Sequence, residues 1–170
     1  MADYWYALHV PTGSEEKVKH ILERQVTSSF KFVIYKRRMK ERKSGRWHMI
    51  DRKLFPGYIL MNGLMTDEAW QEMREADTSF HMLRSEDDYL TLSMQEIKML
   101  GILDENADGL INVSKAIISG DKVVVTDGPL VGQETLIVSV DKRKGRVKVK
   151  VNFCGSERIV ELAMEVIEKV

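Results

Sequence analysis

The chain has one cysteine, three prolines and no apolar run approaching the roughly 20 residues a membrane helix needs. Cys154 alone cannot close an internal disulfide, which fits a reducing, cytoplasmic setting. The four histidines, His9, His20, His48 and His81, share no ligand spacing with one another or with Cys154, so no metal or other cofactor is expected. Glycine-rich phosphate-cradling patterns are missing too. The first residues, MADYWYALHV, lack the basic-then-apolar pattern of a secretory leader. Nor is there an excess of charge of either sign, since 26 basic side chains face 26 acidic ones in 170 residues. With 44% hydrophobic residues the chain has enough apolar material for one medium or two small domains.

The balanced total hides opposed patches. Residues 31–53 hold ten basic side chains against Glu41 and Asp51 alone, a net of +8. Residues 141–150 hold Lys142, Arg143, Lys144, Arg146, Lys148 and Lys150 against Asp141, a net of +5. Blocks of like charge are commonly solvated surface, so their placement on elements decides what they mean.

Trp5 to Val10 has the aromatic and aliphatic content of a strand, ended by Pro11. Thr12 and Glu15 have capping-box spacing before an amphipathic helix over 14–26. Phe32–Tyr35 is a second strand, and Lys43-Ser44-Gly45-Arg46 is the turn of a basic hairpin. Leu54–Met61 is an apolar strand with Pro56-Gly57 near its start, a kink expected to turn Phe55 and Tyr58 outward. Helices are expected at 67–76 and after Ser93, with short strands at Phe80–Leu83 and Tyr89–Leu92. Asp104 to Lys115 reads as a linker. It resembles the first half of a calcium loop, but Lys115 stands where the bidentate glutamate belongs.

From Gly120 onward the pattern is short strands and turns: Lys122–Thr126, Thr135–Val140, Gly145–Val151 and Ser156–Leu162. Such spacing suggests a small β-barrel. Alternation sends Val147, Val149, Val151 and Phe153 inward, and Arg146, Lys148, Lys150 and Asn152 outward in a row about 7 Å apart. With Lys142, Arg143 and Lys144 in the adjoining turn this forms a basic ridge suited to a phosphate backbone. No nucleophile with a paired base appears, so enzyme chemistry is not expected.

These residues carry a family likeness. Trp5-Tyr6, Leu54-Phe55-Pro56-Gly57-Tyr58 and Gly120-Asp121-Lys-Val-Val-Val with Asp127-Gly128-Pro129 resemble the NusG family of transcription elongation factors. The closing segment, Val138 to Asp141, Gly145-Arg146-Val-Lys-Val and Val160-Glu161-Leu162, is similar to that family's KOW domain. The resemblance implies an α+β sandwich amino-terminal (NGN) domain over 1–103 with a mainly antiparallel sheet. A linker over 104–116 and an SH3-like KOW barrel over 117–170 would follow it. It implies that Trp5, His9, Phe55 and Tyr58 bind the clamp helices of RNA polymerase. The hairpin bearing Lys36, Arg37, Arg38, Lys40, Arg42 and Lys43 would lie near upstream DNA. Some relatives refold the last domain as helices; the β-branched runs Val123–Val125 and Val147–Val151 argue for the barrel.

The chain departs from the family pattern at Gln133, Thr135 and Cys154-Gly155-Ser156, the last replacing a Phe-Gly-Arg tied to ribosome and Rho contacts. With its basic ridge it resembles a specialised antitermination paralogue of the LoaP type. The expected partner of Lys142, Arg143, Lys144, Arg146, Lys148, Lys150 and Asn152 is then a structured nascent RNA hairpin read by shape and phosphates. The factor is expected to be monomeric and to stay off membranes. A general factor coupling polymerase to ribosome or Rho, a ribosome-associated KOW protein, and an adaptor with a merely solvated ridge are the alternatives.

Overall fold

A computed structural model describes residues 4–77, 79–86 and 88–169. In the first half, β1 (Trp5–His9), α1 (Glu15–Gln25) and β2 (Lys31–Val33) lead to the long hairpin β3 (Lys36–Lys43) and β4 (Arg46–Lys53). Next come β5 (Tyr58–Asn62), α2 (Asp67–Ala76), β6 (His81–Met82), β7 (Arg84–Ser85), β8 (Asp88–Tyr89) and α3 (Met94–Leu103). The second half is β9 (Leu110–Ile111), β10 (Ser114–Ser119), β11 (Lys122–Asp127), a 3-10 turn, β12 (Ile137–Asp141), β13 (Arg146–Phe153) and β14 (Ser156–Lys169). The described residues form two compact units, each assembled from two stretches of chain: up to Tyr35 with Phe55–Met94, and Lys36–Leu54 with Gln95 onward.

The first unit is built on a four-stranded sheet in the order β2-β5-β1-β6, antiparallel at every join. Tyr6, Leu8 and Val10 point from β1 into a core with Val18 and Leu22 of α1 and Met73 of α2. Two layers of this kind bury one sheet face under an amphipathic helix stripe. Thr66 caps α2, its Oγ1 accepting from Ala69 N at 3.1 Å, and the helix bounds match the periodicity. The cap of α1 differs from the capping box expected of Thr12. Ser14 occupies the cap position with no side-chain cap bond, and its Oγ donates to Pro11 O. Glu15 is instead fully buried, accepting from Gly13 N and from Gly57 N at 3.2 Å. The carboxylate is needed to hold the Pro56-Gly57 turn rather than to close the helix.

The second unit holds β3, β4 and β9 as one small sheet, α3, and a curled five-stranded sheet in the order β11-β10-β14-β13-β12. β13 alternates as expected, with Val147, Val149, Val151 and Phe153 at most 4% exposed. β14 is the spine: its first half pairs antiparallel with β13 and its second half parallel with β10. The stretch expected as a linker contains more order than that. Leu110–Ile111 pairs with Lys36–Arg37 of β3, and the chain from Ser114 forms β10. Asp104 accepts from Asp108 N and Gly109 N at 3.1 and 2.9 Å, so its two oxygens close a turn where calcium ligands were weighed.

Candidate polymerase and nucleic-acid interfaces

On β1, Trp5, Ala7 and His9 share the face opposite the α1–α2 core. Antiparallel register sets His9 directly across from Tyr58 and Trp5 across from Asn62. The His9 and Tyr58 rings lie 5.1 Å apart. The structure therefore brings Trp5, His9 and Tyr58 onto one sheet face. Phe55 does not join them as an outward ring; it is 4% exposed. The kink is present, with Gly57 at φ +84° and Tyr58 N donating to Phe55 O at 3.1 Å, but it curls Phe55 inward. Val10 N donates to Gly57 O at 2.8 Å, and a Cβ on Gly57 would come within 3.2 Å of Val10 O. Only glycine lets this turn lie so close to β1.

The basic hairpin forms as expected, reversing through Ser44 at φ 52° and Gly45 at φ 76°. Left-handed values at both central residues suit the twist of a two-residue hairpin turn. Its two faces differ. Lys36, Arg38, Lys40 and Arg42 line one, opposite Lys53, Asp51, Met49 and Trp47. Arg37, Met39, Glu41 and Lys43 line the other, and there Met39 is buried and Arg52 donates to both Glu41 oxygens at 3.0 and 2.8 Å. Burial lowers the Arg37 pKa, and its Nη1 donates to Glu161 O at 2.8 Å.

The ridge is present on β13. Lys148, Lys150 and Asn152 are exposed, Arg146 is half-buried, and Lys142, Arg143 and Lys144 project from the turn that Asp141 shapes by accepting from Lys144 N at 2.9 Å. What the local sequence does not reveal is β14 alongside. Arg146 Nη1 reaches Glu161 Oε2 at 3.3 Å, and Lys150 Nζ lies 3.8 Å from Glu157. Glu161 thus receives Arg146 on its carboxylate and Arg37 on its backbone oxygen, joining the two basic hairpins within one compact unit. The Nε atoms of both arginines are buried and have no hydrogen-bond partner. Among the described residues Lys142, Arg143, Lys144 and Lys148 have no ion pair, so the positive field is strongest at the turn end of the ridge. Lys144, Arg146 and Lys148 also line a shallow cleft of about 180 Å³ with Ser139 and Glu161, a concavity that presents three cations around one carboxylate.

Cys154 is not a nucleophile in this setting. Burial, and then the Glu96 carboxylate, push its thiol up to about 12, away from the reactive thiolate. It sits at φ 52° in the turn joining β13 to β14, where Gly155 N donates to Glu96 Oε1 at 2.9 Å. Sequence reasoning passed over Glu15, Glu161 and Trp47. An acid on an otherwise basic or apolar face, and a tryptophan inside a charge run, are the signals that could have found them.

Residues 3–101 match the family model described as "Transcription termination factor nusG". The chain is 29% identical over 188 residues to the "Transcription termination/antitermination protein NusG" of Bacillus subtilis (strain 168), covering 99% of each. The protein of that name from Staphylococcus carnosus (strain TM300) is 29% identical over 187 residues, covering 99% of this chain and 96% of that one. Among solved structures, one titled "Domain interaction in Thermotoga maritima NusG" superposes with a TM-score of 0.59 at 26% identity, over 94% of this chain and 93% of that one.

Proposed function

Because the chain belongs to the NusG family, whose members are transcription factors acting with RNA polymerase rather than enzymes, we propose that it promotes processive antitermination. The amino-terminal domain, residues 1–103, binds the polymerase clamp helices through Trp5, His9 and Tyr58. After a connection over 104–116, the KOW barrel of 117–170 grips structured nascent RNA with Lys142, Arg143, Lys144, Arg146, Lys148, Lys150 and Asn152. The hairpin cations Lys36, Arg37, Arg38, Lys40, Arg42 and Lys43 face upstream DNA, and the factor acts as a cytoplasmic monomer.

One observation carries this reading: the outward row of β13 continues into a turn whose three cations have no ion pair. Unpaired cations in a row bind phosphates with release of counterions, and the salt dependence reports how many take part. Glu157 and Glu161 temper the row but do not reverse it.

The general NusG role is the second reading. It is favoured by the names of the curated relatives, which pair termination with antitermination. Cys154-Gly155-Ser156 argues against it, since the aromatic and the arginine of the family's ribosome- and Rho-contacting segment are absent and the turn is drawn to Glu96. Transcription in vitro through a terminator, with and without a structured RNA element upstream, separates the two. Readthrough that needs the element and is lost in Lys148→Glu with Lys150→Glu supports antitermination by the ridge. Readthrough indifferent to both supports the general factor.

A further inference from the structure

The hairpin β3–β4 carries an exposed tryptophan and methionine that neither role accounts for. Trp47 is 49% exposed and Met49 51% exposed, both on the face away from buried Met39. Across the strand from them stand Arg42 and Lys40, and Lys40 Nζ lies 5.4 Å from the centre of the Trp47 ring. Lys36 and Arg38 extend the row along β3, with Lys53 beyond. Asp51 is the one acid on this face, and Arg38 Nε holds it at 3.1 Å. Two large apolar side chains left in water within a cationic strip are poorly explained by solvation, because solvated basic faces gain nothing from them.

The geometry points to this outer face as a docking site for single-stranded DNA, in which an unpaired base stacks on Trp47 and the β3 cations meet the flanking phosphates. Charge complementarity selects nucleic acid over a protein partner: five cations oppose a single acid that is already paired. The exposed ring selects unpaired over duplex, since a base can stack on an aromatic side chain only after leaving its own stack. Deoxyribose is selected over ribose by what surrounds the ring. Met49 offers apolar contact of the kind a thymine methyl takes, and the only carboxylate that could accept from a 2′-hydroxyl is committed to Arg38. The site is separate from the barrel ridge and does not depend on the RNA assignment.

The test uses the full chain with Lys148→Glu and Lys150→Glu already introduced, so that ridge binding does not enter. Binding of a short oligodeoxythymidylate, the same-length oligouridylate and a duplex of equal charge is followed by fluorescence anisotropy. Trp47→Ala should weaken the single-stranded DNA complex by about tenfold, as loss of one stacked base implies. Trp47→Phe should restore most of that affinity. The dependence on salt should be unchanged in Trp47→Ala and shallower in Lys40→Ala with Arg42→Ala. Unchanged affinity in Trp47→Ala, or an equal loss for the duplex, overturns the stacking site. Equal binding and equal loss with the oligouridylate overturns the choice of DNA. A loss of polymerase binding in Trp47→Ala without any oligonucleotide would show the face to be a protein contact instead.

Discussion

Gly128 lies in the Asp127-Gly128-Pro129 turn at φ +96°, where a Cβ would sit 2.6 Å from Ser114 Cα, 2.7 Å from Val113 O and 2.9 Å from Ser114 Oγ. Two of those atoms are backbone and cannot swing aside. Gly128→Ala therefore incurs the left-handed backbone cost of about 1–2 kcal/mol and an overpacking cost of about 1–3 kcal/mol. It also threatens the buried bond from Leu130 N to Ser114 Oγ at 3.1 Å. The expected loss is about 2–5 kcal/mol. Gly132, four residues on in the same loop, is the control: φ is +75° and nothing lies within 4 Å of its Cβ position. Gly132→Ala should bear only the backbone part, about 1–2 kcal/mol. Urea unfolding followed by circular dichroism, with amide exchange at Leu130 reporting the barrel locally, measures both variants. Equal midpoints for the two would refute the claim that this turn is pressed against the start of β10.

Phe55→Ala should cost about 3–5 kcal/mol of stability as a core deletion, whereas Tyr58→Ala should lower polymerase retention in a pull-down while leaving the unfolding midpoint nearly in place. The four unpaired ridge cations predict that log affinity for a structured RNA falls against log salt with a slope of about −3 to −3.6. Glu157→Gln, which frees Lys150, should steepen that slope, and a shallower one would contradict the pairing. Cys154 should resist alkylation near neutral pH in the folded protein and react readily in urea. Its folded pKa, raised from 9.0 to about 12, lies above the unfolded value. Its contribution to stability is therefore complete below pH 9 and lost as pH climbs toward 12. A Cys154→Ala chain should show a weaker loss of stability over that alkaline range.

Much of this was legible where neighbours in sequence decide the outcome. The alternation from Arg146 to Phe153 placed every side chain of β13, and Ser44-Gly45 placed the hairpin turn, because strand period and turn chemistry are local. Thr66 and the spacing of Ala69 and Met73 likewise fixed α2. The ridge was foreseen as uniformly basic, since Glu157 and Glu161 come alongside only through pairing of β14 with β13. Phe55 was expected outward because a kink in sequence has no direction; that depends on Glu15 and Val10 holding Gly57 from the side. The strand β10 was taken as linker because its polar residues, Ser114 and Lys115, find partners in β14 and β11 far along the chain.

The doubled role of β14 also sets the order in which the second unit can assemble. Its first half meets β13 across the two-residue Cys154-Gly155 turn, a closure among near neighbours. Its second half must find β10, pairing residue 114 with residue 164 in parallel register. Short-range pairings form quickly, and parallel ones between distant segments are slow. The hairpin that bears the ridge is thus complete before the sheet curls shut, and the closing step is left to the last residues of the strand.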